Sequence, residues 1–217
     1  MRDPPPLDGG RGRAIPLWLK LAYTAFMALL VPIYWHHYGP ANFLFFSDLA
    51  LFFVLAAIWL ESPLLASMPA VGTLATQALW IADFVAVAVG GRITGMTGYM
   101  FDSGYPFYLR ALSLFHIWLP ALLLFLVWRL GYQARAFWAW TVLAWGVLLI
   151  SYFLLPPPSP DPGGTARNIN YVYGFSDTEP QTIMPQWMWL LMLMAGYPLL
   201  IFAPVHFALR RWAPQVS

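Results

Sequence analysis

Ionisable side chains fall inside runs of the sequence that are otherwise apolar enough to cross a membrane, at Asp48, Asp83, Arg110, His116 and His206. Three of them lie on three successive runs: Asp48 in "ANFLFFSDLALFF", Asp83 in "WIADFVAV" and His116 in "SLFHIWLP". Ser47 precedes Asp48, and Ser113 comes one helical turn before His116. Ionisable groups inside a bilayer are costly and usually face the interior of a helix bundle. These side chains therefore predict a polar pocket with a hydroxyl, an imidazole and carboxylates, which are the parts used in nucleophilic acyl transfer.

The corresponding hypothesis is an acyl-transfer enzyme or ester hydrolase that acts on membrane lipids. Ser47 would attack the acyl carbonyl, His116 would take the serine proton, and Asp48 or Asp83 would orient the imidazole. Arg110 or the Gly-rich segment near residue 95 would hold a headgroup phosphate, with Ser113 in the same substrate-binding region.

Two other interpretations of the same side chains stay open. Asp48 and Asp83 could pair with Arg110 or bond to His116 and so lock the helices together, because buried polar groups need partners. The protein would then be a non-catalytic subunit or scaffold that binds lipid, pigment or a larger membrane complex. Alternatively, the two aspartates and His116 could form a proton or ion path.

The composition is that of an integral membrane protein. Of 217 residues, 60% are hydrophobic and only 9% are charged, against about 25% charged in soluble domains. Six apolar runs approach the roughly 20 residues that a spanning helix needs. We predict an all-α membrane protein with spans at about 16–35, 43–60, 64–90, 107–128, 136–155 and 186–209. We counted depth in the membrane from the end of each span that is predicted to face outside, at about 1.5 Å per residue. On this count Asp48, Asp83 and His116 lie at comparable depth.

Positive charges near the ends of the spans predict the orientation. Eight are expected on the side of both termini, at Arg2, Arg11, Arg13, Lys20, Arg129, Arg135, Arg210 and Arg211, and three on the other side, at Arg92, Arg110 and Arg167. We therefore predict a polar cytoplasmic segment at 1–14, a six-helix membrane domain at 15–211 and a cytoplasmic tail at 212–217. The expected location is the inner (plasma) membrane, with loops 91–106 and 156–185 outside.

Several cofactors and partners are not expected from this sequence. The chain has no cysteine, which excludes disulfides and thiolate metal sites. A retinal Schiff base is not expected, because Lys20 lies near the end of the first span. Haem ligation by His116 with His36 or His37 is geometrically conceivable but weakly indicated. We predict no metal, no cofactor and no nucleic acid, since no basic run is present; the expected partners are membrane lipid and, in the scaffold interpretation, a larger membrane complex.

Four sequence segments resemble a known family in their order along residues 40 to 175. "FFSDLALFFVLAAIWLE", "SLFHIWLP", "RLGYQAR" and "GTARNINYVYG" are similar to segments of the YwaF-like integral membrane proteins, and more distantly to the androgen-induced membrane lipid hydrolases and their acyltransferase relatives. The resemblance implies six helices, with Ser47 at the nucleophile position and His116 at the base position. The YwaF-like motif usually reads Cys-Asp-Leu, whereas this chain has Ser47, Asp48 and Leu49. A serine in that place needs an aligned general base.

Overall fold

The computed structural model describes residues 15–159 and 168–216, and within them the chain is mostly helical. The helices are α1 (Leu17–Tyr38), α2 (Phe46–Leu60), α3 (Pro63–Ala88), α4 (Phe107–Ser113), α5 (Phe115–Leu130), α6 (Ala136–Leu154), α7 (Gln186–Gly196) and α8 (Ala203–Trp212). Short 3₁₀ turns lie at Pro40–Leu44, Gly98–Met100 and Ile169–Tyr171, and a π-helical segment, Tyr197–Phe202, joins α7 to α8. Two-residue strands β1 (Tyr132–Gln133) and β2 (Gln215–Val216) pair in parallel.

Five helical stretches of the described residues are long and apolar enough to cross a membrane. They are α1, α3, α4 with α5, α6, and the continuous stretch from α7 to α8. This agrees with an integral membrane protein. The remaining apolar helix, α2, has 15 residues, which extend about 22 Å against a hydrocarbon core of about 30 Å. The sixth span and the cytoplasmic placement of the termini stay predictions.

The ends of the helices follow from local chemistry. α1 ends at Gly39 and α5 ends at Gly131, and both glycines have the positive φ that favours a residue without a Cβ. α2 ends at Glu61 in the left-handed conformation. α3 then begins at once, because Ser62 caps it through Leu65 N and Pro63 occupies its first position. The turn between α2 and α3 is therefore very short.

The structure refines three of the expected boundaries. The run predicted as one span at 107–128 forms two helices that meet at Leu114. The last span, predicted at 186–209, contains the π-helical segment and continues to Trp212. Gln215 and Val216, within the segment 212–217 predicted as a tail, belong to β2. The whole of the predicted N-terminal segment, 1–14, lies outside the described residues, as do Arg167 and Ser217.

Helix α3 lies at the centre of the bundle and packs against α2, α5 and α6. Its buried face includes Ala66, Ala70 and Gly72, and small residues let neighbouring helices approach closely. At Gly72 the approach is so close that an added Cβ would overlap the indole ring of Trp140 from α6. Trp140 itself is fully buried. The position of α3 matters for the site because its C-terminal half carries Gln77, Trp80 and Asp83.

The two ends of the bundle differ. We call the end with segments 39–45, 89–106, 155–159 and 168–185 the long-loop end, and the end with residues 61–62, 131–135 and 213–216 the short-turn end. At the short-turn end Tyr132 N donates to Pro214 O at 2.6 Å, and the Tyr132 hydroxyl bonds to His206 Nδ1 at 2.6 Å. Gln133 N donates to Ser67 Oγ at 3.0 Å. The side chains proposed from the sequence for the site all lie toward the long-loop end: Ser47, Asp48, Asp83, Arg110, Ser113 and His116.

Candidate functional site

Asp48 lies in the first turn of α2, at the long-loop end of the bundle. Its side chain is 5% exposed. Oδ1 accepts a hydrogen bond from Asn42 Nδ2 at 3.2 Å, and Oδ2 accepts one from Ser47 Oγ at 3.2 Å. The N-terminus of α2 favours a negative charge here. No Lys, Arg or His in the described part of the chain forms an ion pair with Asp48, since the ion pair found there joins Lys20 to Glu61.

Asn170 fixes the start of α2, and therefore the position of Asp48. Its Oδ1 accepts from Phe46 N at 3.1 Å, and its Nδ2 donates to Leu44 O at 2.8 Å. Asn170 adopts the left-handed conformation, with φ of 51°, which asparagine tolerates better than most residues. The segment around it is held by Asn168, whose side chain bonds to Tyr173 N, Gly174 O and Ser176 O. The described part of the loop after α6 is thus hydrogen-bonded to the start of α2.

Three tyrosines, Tyr34, Tyr38 and Tyr99, lie near Asp48, and Tyr105 packs against Tyr99. We call these four residues the tyrosine cluster. The charge of Asp48 acts on the hydroxyl groups of Tyr34, Tyr38 and Tyr99. The rings form two pairs: Tyr34 and Tyr38 meet edge to face with centroids 5.2 Å apart, and Tyr99 and Tyr105 lie 6.0 Å apart. Burial raises the pKa of Tyr99, in the loop before α4, to about 12. Tyr99 therefore stays neutral at physiological pH.

His116 occupies a separate position at the start of α5. Its Nδ1 lies 2.7 Å from Gln77 Oε1, and because an amide oxygen can only accept, Nδ1 carries the proton. The ring stacks between Trp80 and Phe115, with centroids 4.6 Å and 4.1 Å away. In this tautomer Nε2 keeps its lone pair and is the nitrogen able to take a proton. Gln77 thus orients the imidazole from within the membrane region of α3.

Ser113 links α4 to α1 by a hydrogen bond, and among the described residues no hydrogen bond joins it to His116. Its Oγ lies 2.9 Å from the Tyr34 hydroxyl and donates to Leu109 O at 3.1 Å. The Tyr99 hydroxyl lies near both Ser113 and Trp80. Because Tyr99 is also close to Asp48, it connects the surroundings of Asp48 to the aromatic stack around His116.

Asp83 is fully buried and anchors the loop that follows α3. Its Oδ1 accepts from the backbone amides of Ile93, Thr94 and Gly95, and its Oδ2 accepts from both the amide and the hydroxyl of Thr97. The distances range from 2.7 to 3.1 Å. A carboxylate can accept about four hydrogen bonds, so these five contacts use its capacity. This arrangement is that of a structural anchor.

Arg110 lines an apolar cleft of about 200 Å³ between α3, α4 and the Gly98–Met100 turn. One guanidinium nitrogen donates to Met100 O at 3.2 Å. The buried Nε has no hydrogen-bond partner among the described residues. The cleft is otherwise lined by Phe84, Met100, Phe101, Phe107, Ala111 and Leu114. A cation with such apolar walls suits an amphipathic ligand with an anionic group.

The structure brings only some of the sequence-predicted residues together. Ser47 contacts Asp48, but in the described residues no hydrogen bond joins Ser47 to His116, and the hydrogen bonds of Asp83 go to its loop. No group of three or more His, Asp or Glu side chains comes together as metal ligands in the same residues.

Sequence reasoning missed four side chains that build the site: Tyr34, Gln77, Tyr99 and Asn170. Within the spans, only ionisable residues and the serines beside them were considered, so the mid-span amide of Gln77 was missed. Asn170 lies in the segment "RNINYVYG", where its paired asparagines were a usable signal.

Comparison of the chain with protein-family models, with curated proteins and with solved structures gave no match. A function for this chain is therefore inferred from the contacts within its own structure.

Proposed function

We propose that this integral membrane protein acts on a membrane lipid at its long-loop end, by acyl transfer or by hydrolysis of an acyl ester. The observation that supports this most directly is the way in which His116 is held. Gln77 Oε1 accepts a hydrogen bond from His116 Nδ1, with 2.7 Å between the two atoms. Two aromatic rings fix the plane of the imidazole. Nε2 is thereby prepared to act as a general base. The resemblance of the sequence to YwaF-like proteins and, distantly, to lipid hydrolases and acyltransferases points to the same chemistry.

In this mechanism Ser47 is the nucleophile. Its hydroxyl turns away from Asp48 and gives its proton to His116 Nε2 as Oγ forms a bond to the acyl carbonyl carbon. The ester C–O bond breaks, and the proton passes from Nε2 to the leaving alkoxide. An acceptor alcohol or water then attacks the acyl carbon and gives its proton to Nε2; the bond between that carbon and Ser47 Oγ breaks, the proton passes from Nε2 to Oγ, and the new ester or the carboxylic acid leaves. Arg110, in its apolar cleft, binds the headgroup phosphate during these steps.

The hydrogen bond between Ser47 and Asp48 must open for this reaction. Contacts between nucleophile and base are often long or misaligned before substrate binds. The mechanism therefore requires Ser47 to come within about 3 Å of Nε2 when lipid is present. Gln77, rather than either aspartate, takes the orienting role in this proposal.

A fluorophosphonate probe tests the proposal, because it labels activated serines. We expect the purified protein to be labelled in maltoside detergent and in lipid nanodiscs, and Ser47→Ala and His116→Ala to lose labelling. Ser103→Ala, in the exposed loop before α4, is the matched control and should label like the wild type. Absence of wild-type labelling in both environments would overturn the enzyme hypothesis.

A non-catalytic membrane subunit or scaffold is the second candidate, and one observation favours it. Asp83, Ser113 and His116 each already have a partner inside the protein, as polar side chains that only join helices require. This candidate predicts that Ser47→Ala changes neither labelling nor stability, whereas Asp48→Ala prevents stable folding. It also predicts copurification with a stoichiometric partner.

A further inference from the structure

Among the described residues of the long-loop end, Asp48 is a buried carboxylate that has neither a cationic partner nor the dense set of donors that surrounds Asp83. Asp48 is 5% exposed, and its two side-chain hydrogen bonds come from neutral groups at 3.2 Å. A buried carboxylate normally needs a paired charge, since its desolvation is costly. The N-terminus of α2 compensates for this cost only in part.

The surroundings of Asp48 are rich in aromatic rings. Tyr34 and Tyr38 come from α1, whereas Tyr99 and Tyr105 come from the loop before α4. Tyr34 is buried, while the other three are half-buried. The cluster thus extends from the buried carboxylate toward the surface at the long-loop end. A carboxylate beside several tyrosine rings is the combination that proteins use to bind ammonium groups, through charge and cation–π attraction.

We propose that Asp48 and the tyrosine cluster form a binding site for an ammonium group. The ammonium would lie against the rings of Tyr38, Tyr99 and Tyr105 and supply the positive charge that Asp48 lacks within the protein. Ring faces attract organic cations of this kind, which distinguishes them from a metal ion that requires several oxygen ligands.

This inference deepens the proposed function and partly rests on it, because the ammonium of a zwitterionic lipid headgroup is one source of the ligand. A free amine is the other source, since the chemistry recognised by the site is the same. Arg110 would meet the phosphate of such a headgroup, while Asp48 would meet its ammonium. A lipid with an anionic headgroup and no ammonium would leave Asp48 without a counter-charge.

Binding to short-chain lipids in maltoside detergent tests the proposal. Diheptanoylphosphatidylcholine and diheptanoylphosphatidylglycerol share their acyl chains and differ in the ammonium, and choline chloride represents the free amine, with sodium chloride as the ionic-strength control. We expect an ammonium compound to bind the wild type, and phosphatidylcholine to bind at least about tenfold more tightly than phosphatidylglycerol if the source is lipid. Binding of choline with weak binding of both lipids supports a free amine as the source.

Asp48→Asn is the decisive variant, because it removes the charge and keeps the size of the side chain. We expect its affinity for the ammonium compound to fall at least about tenfold. Asp102→Asn makes the same change at an exposed residue of the loop before α4, and its affinity should equal that of the wild type. Equal binding of the two lipids without binding of choline, or unchanged binding by Asp48→Asn, would overturn the proposal.

Tyr38 provides a second test that does not depend on the folding of Asp48→Asn. Tyr38→Phe keeps the aromatic face and should bind the ammonium compound like the wild type. Tyr38→Leu removes that face and should bind about threefold or more weakly. Equal affinities of the two variants would contradict the cation–π contact and overturn the site.

The outcomes separate this inference from the proposed function. Binding of an ammonium compound that depends on Asp48, without fluorophosphonate labelling, would refute the enzyme and retain the site. Labelling that depends on Ser47, without ammonium binding, would retain the enzyme and refute the site.

Discussion

Asp48 and Asp83 are two aspartates near the same end of the bundle, yet their environments are opposite. Asp83 receives hydrogen bonds from four backbone amides and one hydroxyl. Asp48 receives two longer bonds from neutral side chains. A carboxylate with many donors is stabilised in its charged form and has no free capacity. Asp83 is therefore suited to hold structure, and Asp48 is suited to meet a ligand.

We expect Asp83→Asn to destabilise the protein strongly. The amide nitrogen that replaces one carboxylate oxygen cannot accept, so buried donors of residues 93–97 lose their partner. The loss should be about 2 kcal/mol or more, which lowers the melting temperature by about 4 °C or more. Thermal unfolding in detergent measures this, and limited proteolysis should cut segment 91–106 faster than in the wild type. Asp102→Asn is the control, and equal melting temperatures for the two variants would contradict the anchor role.

The sequence predicted that these aspartates face inward, but it could not distinguish their roles. The partners of Asp83 are mostly backbone amides, which every residue carries and no sequence pattern marks. For the same reason the pairing of His116 with Gln77, 39 residues away, was not predicted. The contact between Ser47 and Asp48 follows from their being neighbours in the sequence, whereas the predicted pairing of Ser47 with His116 stays a prediction.

At the scale of helices, the turn between α2 and α3 is tied to α1 through Glu61. Its Oε1 accepts from Lys20 Nζ at 2.7 Å and from Ile15 N at 3.0 Å. The hydrogen bond from Lys20 lowers the pKa of Glu61 below its usual value, with smaller help from Ile15. A carboxyl group with a lowered pKa adds stability above its unfolded-state pKa and loses that contribution as the pH falls through its folded-state value.

Glu61→Gln should therefore lower the melting temperature at pH 7 and have little effect in acid. The difference from the wild type should shrink as the pH falls below about 4.5, near the ordinary pKa of a glutamate. Melting curves measured in detergent from pH 3 to 8 test this. Glu179→Gln, in an exposed loop, should show no such dependence, and a pH-independent difference for Glu61→Gln would contradict the role of its charge.

The crossing of α3 and α6 depends on Gly72. An added Cβ would overlap Trp140, and overpacking of this kind costs about 1 to 3 kcal/mol. We expect Gly72→Ala to lower the melting temperature and Trp140→Phe to restore part of the loss by making space. Gly146→Ala is the matched control within α6, because nothing lies within 4 Å of its added Cβ. A stable Gly72→Ala variant would contradict the close approach.

Helix positions were predicted well because apolar runs report directly on burial in lipid. The predicted span at 136–155 and the observed α6 at Ala136–Leu154 differ by one residue at one end. The break at Leu114 and the π-helical segment Tyr197–Phe202 were not predicted. Both lie inside continuous apolar sequence, where a change in backbone geometry leaves hydropathy unchanged.

At the scale of the whole molecule, the orientation in the membrane is the main untested prediction. The chain contains no cysteine, so single cysteines can report on sidedness without background. We expect Ser103→Cys and Glu179→Cys, both exposed at the long-loop end, to react with a membrane-impermeant maleimide in intact cells. Ala134→Cys, exposed at the short-turn end, should react only after permeabilisation. The reverse pattern would invert the proposed topology.

The two loops that shape the long-loop end differ in how far along the chain their partners lie. Asp83 binds amides only 10 to 14 residues away, so this loop can take its final form soon after α3 has been synthesised. Asn170 binds Leu44 and Phe46 across 126 and 124 residues, and contacts between distant residues form late because closing long loops costs entropy. The hydrogen bonds that fix the start of α2 beside Asp48 therefore form only after residue 170 has been synthesised, well after the loop anchored by Asp83 can form.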